Sequence, residues 1–476
     1  MRILLRIISL MAVLACLTGC LPALAVQADT VTLQCTFEVS RGREKYLTDG
    51  DIETAWEPSG KNAKLLITLP ANGAGYVHIE WKEEPAGYVF AQYDADKNEL
   101  ASSDGDAEYT GITQMYELRS DARYVLITLT DEDQAICEVT VYSAGDLPSG
   151  VQRWYPAYTK CDLMLVAAYP GDELVTFGGL VPYYALERDA KVQLVYMTGA
   201  SRARRSETLD ALWSLGVRNY PEFMNLKAAD TDSLEECLRL WGGKDKLVGA
   251  MVETIRKCKP EVIVSHDING EGGDQKRILT SMLMQYAIAA AADPEEYPES
   301  AEEYGAWHVK KLYLHLGTES VIDFDWSAVG EESGVAPIEA ARVAFENYAA
   351  LSGKYEISED GEYDSSLYGL EYSAIGADTR GNDFFENIAG FETAVPEAEA
   401  TGTTPTPTPA PAPTPALVFS PEPTPVQRTQ TGTADSFGSS MLSVLKFVGI
   451  GLGIILLLTC CQAVIYRFHR RGGRRR

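Results

Sequence analysis

Histidine is scarce in this chain, five in 476 residues, and no CxxC pair occurs. The second absence excludes the cysteine-rich zinc modules that such spacings build. Positive charge is also in deficit: 41 Lys and Arg stand against 68 Asp and Glu, a formal net charge of -27 at pH 7. So acidic a chain lacks the cationic face that nucleic acid or anionic lipid requires, and neither is an expected partner. Nine cysteines are thinly spread. Cys16 and Cys20 lie in an apolar N-terminal stretch, and Cys460 and Cys461 in an apolar C-terminal one. That leaves Cys35, Cys137, Cys161, Cys237 and Cys258, an odd number, so at least one is unpaired unless it bonds another chain.

The two ends read as targeting segments. Residues 1–28 have the form of an export signal, with Arg2 and Arg6 ahead of the apolar run 7–17. Leu17-Thr18-Gly19-Cys20 fits lipoprotein cleavage, whereas Ala23-Leu24-Ala25 and Val26-Gln27-Ala28 fit ordinary signal cleavage; both stay open. Residues 447–466 carry no charge and are long enough for a bilayer helix, placed within a membrane segment 441–466. The basic tail 467–476 follows at once, so the expectation is a single-pass protein of the cell membrane, ectodomain outside and C-terminus in the cytoplasm. Gly449 and Gly453 have the GxxxG spacing that would let two such helices pair as a dimer. Residues 396–440 form a Pro/Thr-rich stalk whose TPTPTPAPAPTP run cannot pack a core and should be extended polyproline.

Between these ends the chain changes period. Residues 29–150 show short alternating runs (31–39, 64–69, 76–81, 88–93, 124–130 and 135–142) separated by Gly, Pro and Asp turns, the pattern of an all-β sandwich. Cys35 and Cys137 fall near its first and last strands, where a closing disulfide would lie. Residues 151–395 alternate apolar runs (163–168, 192–197, 261–265) with helical periodicity (174–186, 206–215, 233–257, 277–292), which predicts an α/β domain, a mostly parallel sheet with helices on both faces.

The most informative stretch is 165–179, LVAAYPGDELVTFGG: an apolar strand, a Pro-Gly turn bearing Asp172 and Glu173, then a helix start. It resembles the signature of the PIG-L/LmbE family of zinc-dependent de-N-acetylases, Ala-His-Pro-Asp-Asp-Glu followed by an apolar helix start and Gly-Gly. The resemblance extends to Arg204-Arg205-Ser206-Glu207 leading into Leu215-Gly216-Val217, to Pro260–Asp267 as the family's third strand, and to late segments around Lys311–His315 and Asp383–Asn387. It implies a Rossmann-like sheet and an amide hydrolase acting on N-acetylated sugars. Separately, Tyr46–Trp56, with its DGxxxTxW loop, resembles the opening of discoidin-like galactose-binding modules. In that family the loop is mainly structural and often sits beside a bound calcium.

The departures from the PIG-L pattern fall on its chemistry. The family holds zinc with the first His, the second Asp and a later His, and uses the first Asp as general base. Here those opening positions are Tyr169, Asp172 and Gly171, so only Asp172 keeps a ligand and the base carboxylate is gone. The later segment supplies Gly273 or Asp274, then Lys276 or Arg277, where imidazoles would stand, and a cation there opposes a divalent metal. A phenol is a poor zinc ligand near neutral pH. Zinc, expected for the family, is therefore expected not to be held. His266 reads as a supporting rather than a ligating residue, and His308 and His315 as satisfied surface or core groups. Tyr169, Asp172, Glu173, His266, Asp267 and Asp274 are the candidate cleft residues, able to bind a glycan or cell-wall saccharide or simply to cap helices. Three functions remain open: a deacetylase-like protein that binds N-acetylated glycans with zinc hydrolysis impaired or lost, an active de-N-acetylase with a remodelled metal site, and a surface adhesin that binds glycans through the β-sandwich.

Overall fold

In a computed structural model of the chain, residues 26–105, 111–228, 231 and 233–391 are described. Eight strands come first: β1 (Thr36–Val39), β2 (Ala63–Thr68), β3 (Tyr76–Trp81), β4 (Tyr88–Tyr93), β5 (Glu99–Asp104), β6 (Thr113–Glu117), β7 (Tyr124–Leu129) and β8 (Ile136–Tyr142). They pair antiparallel into a five-stranded sheet, β1-β2-β7-β4-β5, and a three-stranded sheet, β6-β3-β8. Period-2 alternation turns Leu65, Ile67, Val125 and Ile127 of one sheet toward Val77, Ile79, Val139 and Val141 of the other, and one apolar core fills the space between. The DGxxxTxW loop closes on itself beside this core. Asp49 accepts from Thr54 Oγ1 (2.9 Å) and from the Asp51 N–H, and buried Trp56 donates Nε1–H to the Arg41 carbonyl (2.7 Å).

The remaining strands are β9 (Leu163–Ala167), β10 (Val192–Thr198), β11 (Glu222–Leu226), β12 (Val262–Ser265), β13 (Lys311–His315), β14 (Ile322–Asp323) and β15 (Leu367–Ser373). Their sheet order is β11-β10-β9-β12-β13-β15-β14, parallel from β11 to β13 and antiparallel at β15 and β14. The fold is thus mixed α/β with a parallel core. Leu163, Leu165 and Ala167 of β9 enter one apolar cluster, Met164 and Val166 the other, because successive side chains leave opposite faces of a strand covered on both sides. From β9 the chain moves outward through β10 and β11, then returns to the other side of β9 with β12, so the order reverses between β9 and β12.

Several expectations need correction. The single-pass cell-membrane placement is overturned: among the described residues no helix is long and apolar enough to cross a membrane. The Gln275–Ala292 helix, 18 residues long, carries Lys276 and Arg277 and packs its apolar side into the α/β core. Segment 447–466, the GxxxG pair, the stalk and residues 1–25 lie outside the described residues. The sandwich-closing disulfide does not form. Cys35 and Cys137 are free, one just ahead of β1 in the larger sheet with Sγ on the Val31 carbonyl (3.5 Å), the other in β8 of the smaller sheet. Helical periodicity over 174–186 gives only short turns, Asp172–Val175, Leu180–Pro182 and a π-helical turn at Tyr183–Glu187. Gly178 is left-handed there (φ 51°) and Gly179 packs against the Trp326 ring. The run 233–257 divides into Leu234–Leu240 and Lys244–Cys258 because Gly242 and Gly243 both take positive φ.

The β-sheet pair is fastened to the α/β sheet by the Arg202–Ser214 helix. Arg202 donates Nε–H to the Trp81 carbonyl and Nη2–H to Glu80 Oε2, both at 2.8 Å, and Arg205 pairs with Glu84. Arg202→Ala should therefore destabilise the protein by about 1–3 kcal/mol, since it leaves a partly buried carboxylate and a carbonyl unpaired. Urea unfolding checks this, and an unchanged midpoint would mean that the fastening lies elsewhere.

Candidate functional site

A cleft of about 810 Å³ opens at the C-terminal ends of β9, β10 and β12. It sits where the strand order reverses, the position at which open α/β sheets bind ligands. The β9 loop brings Tyr169, Pro170, Gly171 and Asp172; the β10 loop brings Thr198 to Ser201 and Arg204; the β12 loop brings Glu271 to Arg277. Of the candidate residues, Tyr169, Asp172 and Asp274 line the cleft. Glu173 and His266 are fully buried and Asp267 is half-buried, and none of these three is part of the lining.

The central contact spans the two loops. Arg277 Nη2 donates to Asp172 Oδ1 (2.7 Å) and Nε to Oδ2 (3.3 Å), a side-on guanidinium–carboxylate pair, while Nη1 donates to the Glu271 carbonyl (3.1 Å). Burial opposes the charge on Arg277, but Asp172 and the other carboxylates outweigh it and hold the guanidinium firmly protonated. Asp274 does three things. Its Oδ1 accepts the N–H of Lys276 and Arg277, which caps the Gln275–Ala292 helix, and both oxygens receive the Tyr169 hydroxyl, at 3.0 Å for Oδ2. Burial and the neighbouring carboxylates push the Tyr169 phenol far above its ordinary range, so it stays a donor.

Beneath the cleft lies a second network. Ala168 N–H donates to His266 Nε2 (2.8 Å), so His266 Nδ1 carries the proton and donates to Glu271 Oε2 (2.8 Å). His315 Nδ1 meets Glu271 Oε1 (2.8 Å) and Nε2 meets the Asp364 carbonyl (2.9 Å). Both partners of His315 are acceptors, a carboxylate and a carbonyl. Burial would raise Glu271, but the two histidines overcome that and hold its carboxyl well below the usual range. The β13 run that holds His315 is buried along its whole length, with Lys311 paired to Asp378.

These positions allow a direct test of zinc. Its remaining family carboxylate is occupied by a guanidinium. The phenol at the first imidazole position is protonated and spent on Asp274. His266 uses one nitrogen as an acceptor of a backbone N–H and the other on Glu271. Among the described residues no three His, Cys, Asp or Glu side chains are placed to hold a metal ion. The donor set does not fit zinc. Nor would a carboxylate simply return at position 171: Gly171 has φ 109°, and an added Cβ would lie 2.7 Å from Leu351 Cδ1. The capping alternative holds for Asp274 rather than for Asp172, whose oxygens go to Arg277 and to the Tyr169 N–H (3.2 Å).

Sequence reasoning missed Glu271, Arg204 and Tyr348. The first carried a usable signal, a carboxylate five residues beyond a strand-end histidine; Tyr348, 175 residues from the Glu173 it contacts, carried none.

Burial pushes the Glu173 carboxyl up to about 7, against hydrogen bonds from Tyr348 and the Gly171 N–H that pull it down. Because the folded-state value exceeds the unfolded one, the native state keeps the extra proton. The resulting stabilisation is complete below about pH 4.5 and is lost as pH rises through about 7. Glu173→Gln mimics the protonated carboxyl, so wild-type stability relative to this variant should fall by about 3 kcal/mol between pH 4.5 and 7.5. Denaturant titrations at several pH values measure it, and a constant difference would show that Glu173 is ionised throughout.

No family model matches the chain. Over 178 residues it is 31% identical to 1D-myo-inositol 2-acetamido-2-deoxy-alpha-D-glucopyranoside deacetylase 2 of Saccharopolyspora erythraea, covering 32% of this chain and 63% of that protein. Over 181 residues it is 32% identical to mycothiol S-conjugate amidase of Streptomyces coelicolor, covering 33% and 60%. The chain thus spans less than two thirds of the length of these relatives. Among solved structures, N,N'-diacetylchitobiose deacetylase from Pyrococcus horikoshii matches 40% of this chain and 70% of its own, at 15% identity and a TM-score of 0.29.

Proposed function

We propose that this protein binds an N-acetylated saccharide in the cleft between the β9 and β12 loops and does not hydrolyse it by zinc chemistry. The Arg277 guanidinium seated on Asp172 carries this reading. A metal hydrolase needs an open coordination site and a base poised over the bound water. Here the carboxylate that would anchor the metal is neutralised, and position 171 has no side chain to accept a proton. The names of the relatives, deacetylases and an amidase, support an ancestry in amide cleavage on amino sugars. The size of the cleft, in the range of roughly 300–1,000 Å³ typical of small-ligand sites, supports retained binding.

What the residues can still do is recognise. Tyr169 presents a ring face whose hydroxyl is fixed by Asp274, the arrangement that holds an aromatic still against the apolar face of a pyranose. Thr198 is turned inward onto the Ala168 carbonyl and buttresses the same wall.

The test is acetate release from N-acetylglucosamine derivatives by the full-length protein with zinc supplied. Loss of a general base alone costs about 10²–10⁴-fold, so release should stay at background. Turnover that disappears in Asp172→Ala would overturn this reading and establish a rebuilt catalytic site. Calorimetry should detect binding that Tyr169→Ala weakens; a variant that folds normally and binds equally well would remove the cleft from the account.

A further inference from the structure

The polar groups of the cleft are unequally committed. Every carboxylate is engaged: Asp172 by Arg277, Asp274 by Tyr169 and two helix N–H groups, Glu271 by His266, His315 and the Asp267 N–H. One cation is not. Lys276 is only 5% exposed and lines the cleft, yet among the described residues no carboxylate lies within ion-pair distance of its Nζ. Its Nζ lies over the Tyr169 ring, 6.0 Å from the centroid. Arg204 lines the same cleft from the start of the Arg202–Ser214 helix, but its Nη1 is shielded from solvent and ion-paired with Glu207 Oε2 at 3.0 Å.

The placement of Lys276 does not serve stability. Lys276 occupies the first turn of an 18-residue helix, the positive end of its dipole, where a cation is unfavourable. Asp172, Glu271 and Asp274 line the same cleft, yet each is committed elsewhere and none pairs with Lys276. Such a pattern fits a site whose counter-charge arrives with the ligand.

We propose that the cleft selects a saccharide bearing an anionic substituent, a carboxylate or a phosphate, received by Lys276 Nζ. This rests on the reading of the cleft as a saccharide site and names the class of saccharide. The Asp172–Arg277 pair stays closed in this arrangement, and the sugar ring lies toward Tyr169. Specificity then comes from charge in place of metal coordination, with the anion replacing water around one ammonium that has no carboxylate partner.

Calorimetry on the full-length protein tests it with four probes: N-acetylglucosamine, N-acetylmuramic acid, N-acetylglucosamine 6-phosphate and inorganic phosphate. At least one anionic sugar should bind about tenfold or more tightly than the neutral one, with the preference falling as salt is raised. Whichever anion gains more identifies the substituent. Lys276→Met should abolish the preference and leave neutral-sugar affinity within about twofold, whereas Lys276→Arg should keep it; thermal unfolding of both variants confirms the fold. Equal affinity for neutral and anionic sugars would overturn this inference and leave the saccharide reading standing. Inorganic phosphate binding as tightly as the sugar phosphate would overturn it too, by showing a bare anion site. Absence of binding by every sugar would overturn the saccharide reading and this inference together.

Discussion

The ion pair between Asp172 and Arg277 ties together the two loops that meet where the sheet reverses its order. It decides the electrostatics of everything around it. With Asp172 neutralised, the β9 loop can approach the β12 loop without a divalent cation between them, and the phenol of Tyr169 can reach across to Asp274. A side-on guanidinium pair is directional as well as charged, so it fixes the spacing of the loops more tightly than a point charge would. The cleft keeps its shape through this contact.

A second layer supports the first. Glu271 sits under Arg277, gives it a carbonyl, and is itself gripped by two histidines rising from β12 and β13. His266 in turn receives the backbone N–H of Ala168, one residue before Tyr169. Three neighbouring strands therefore end in one continuous hydrogen-bond network, and displacement of any of them is felt at the cleft wall. Buried networks of this kind rigidify when fully satisfied, and each atom named here has its partner.

Much of this was readable in the chain. The strand runs at 163–168, 192–197 and 261–265 became β9, β10 and β12 because residues buried on both faces leave an unbroken apolar run. The turn with Asp172 and Glu173 lies where the strand-to-helix pattern put it. What failed were features decided at a distance. Period alone could not show that Gly178 and Gly179 pack against Ser365 and Trp326 and break a helix. It could not show that Cys35, just ahead of the larger sheet, and Cys137, within the smaller one, stay apart. In the site, substitution of the metal ligands was visible by position, but the meaning of Arg277 was not. Opposition to a metal is a local inference, whereas pairing with a carboxylate 105 residues earlier depends on the tertiary fold.

Gly171 makes the arrangement hard to reverse. It holds a left-handed backbone with Leu351 where a side chain would begin. A change to Asp there would strain the turn before it supplied a base. A change of Tyr169 to His would place an imidazole beside a guanidinium and take the hydroxyl away from Asp274. Removal of Arg277 alone would strand a buried carboxylate. Each single step toward a metal centre is downhill in stability, and only the combination could recover it. The cleft behaves as a ratchet: a single change at Gly171, Tyr169 or Arg277 gives up a contact before it can gain another.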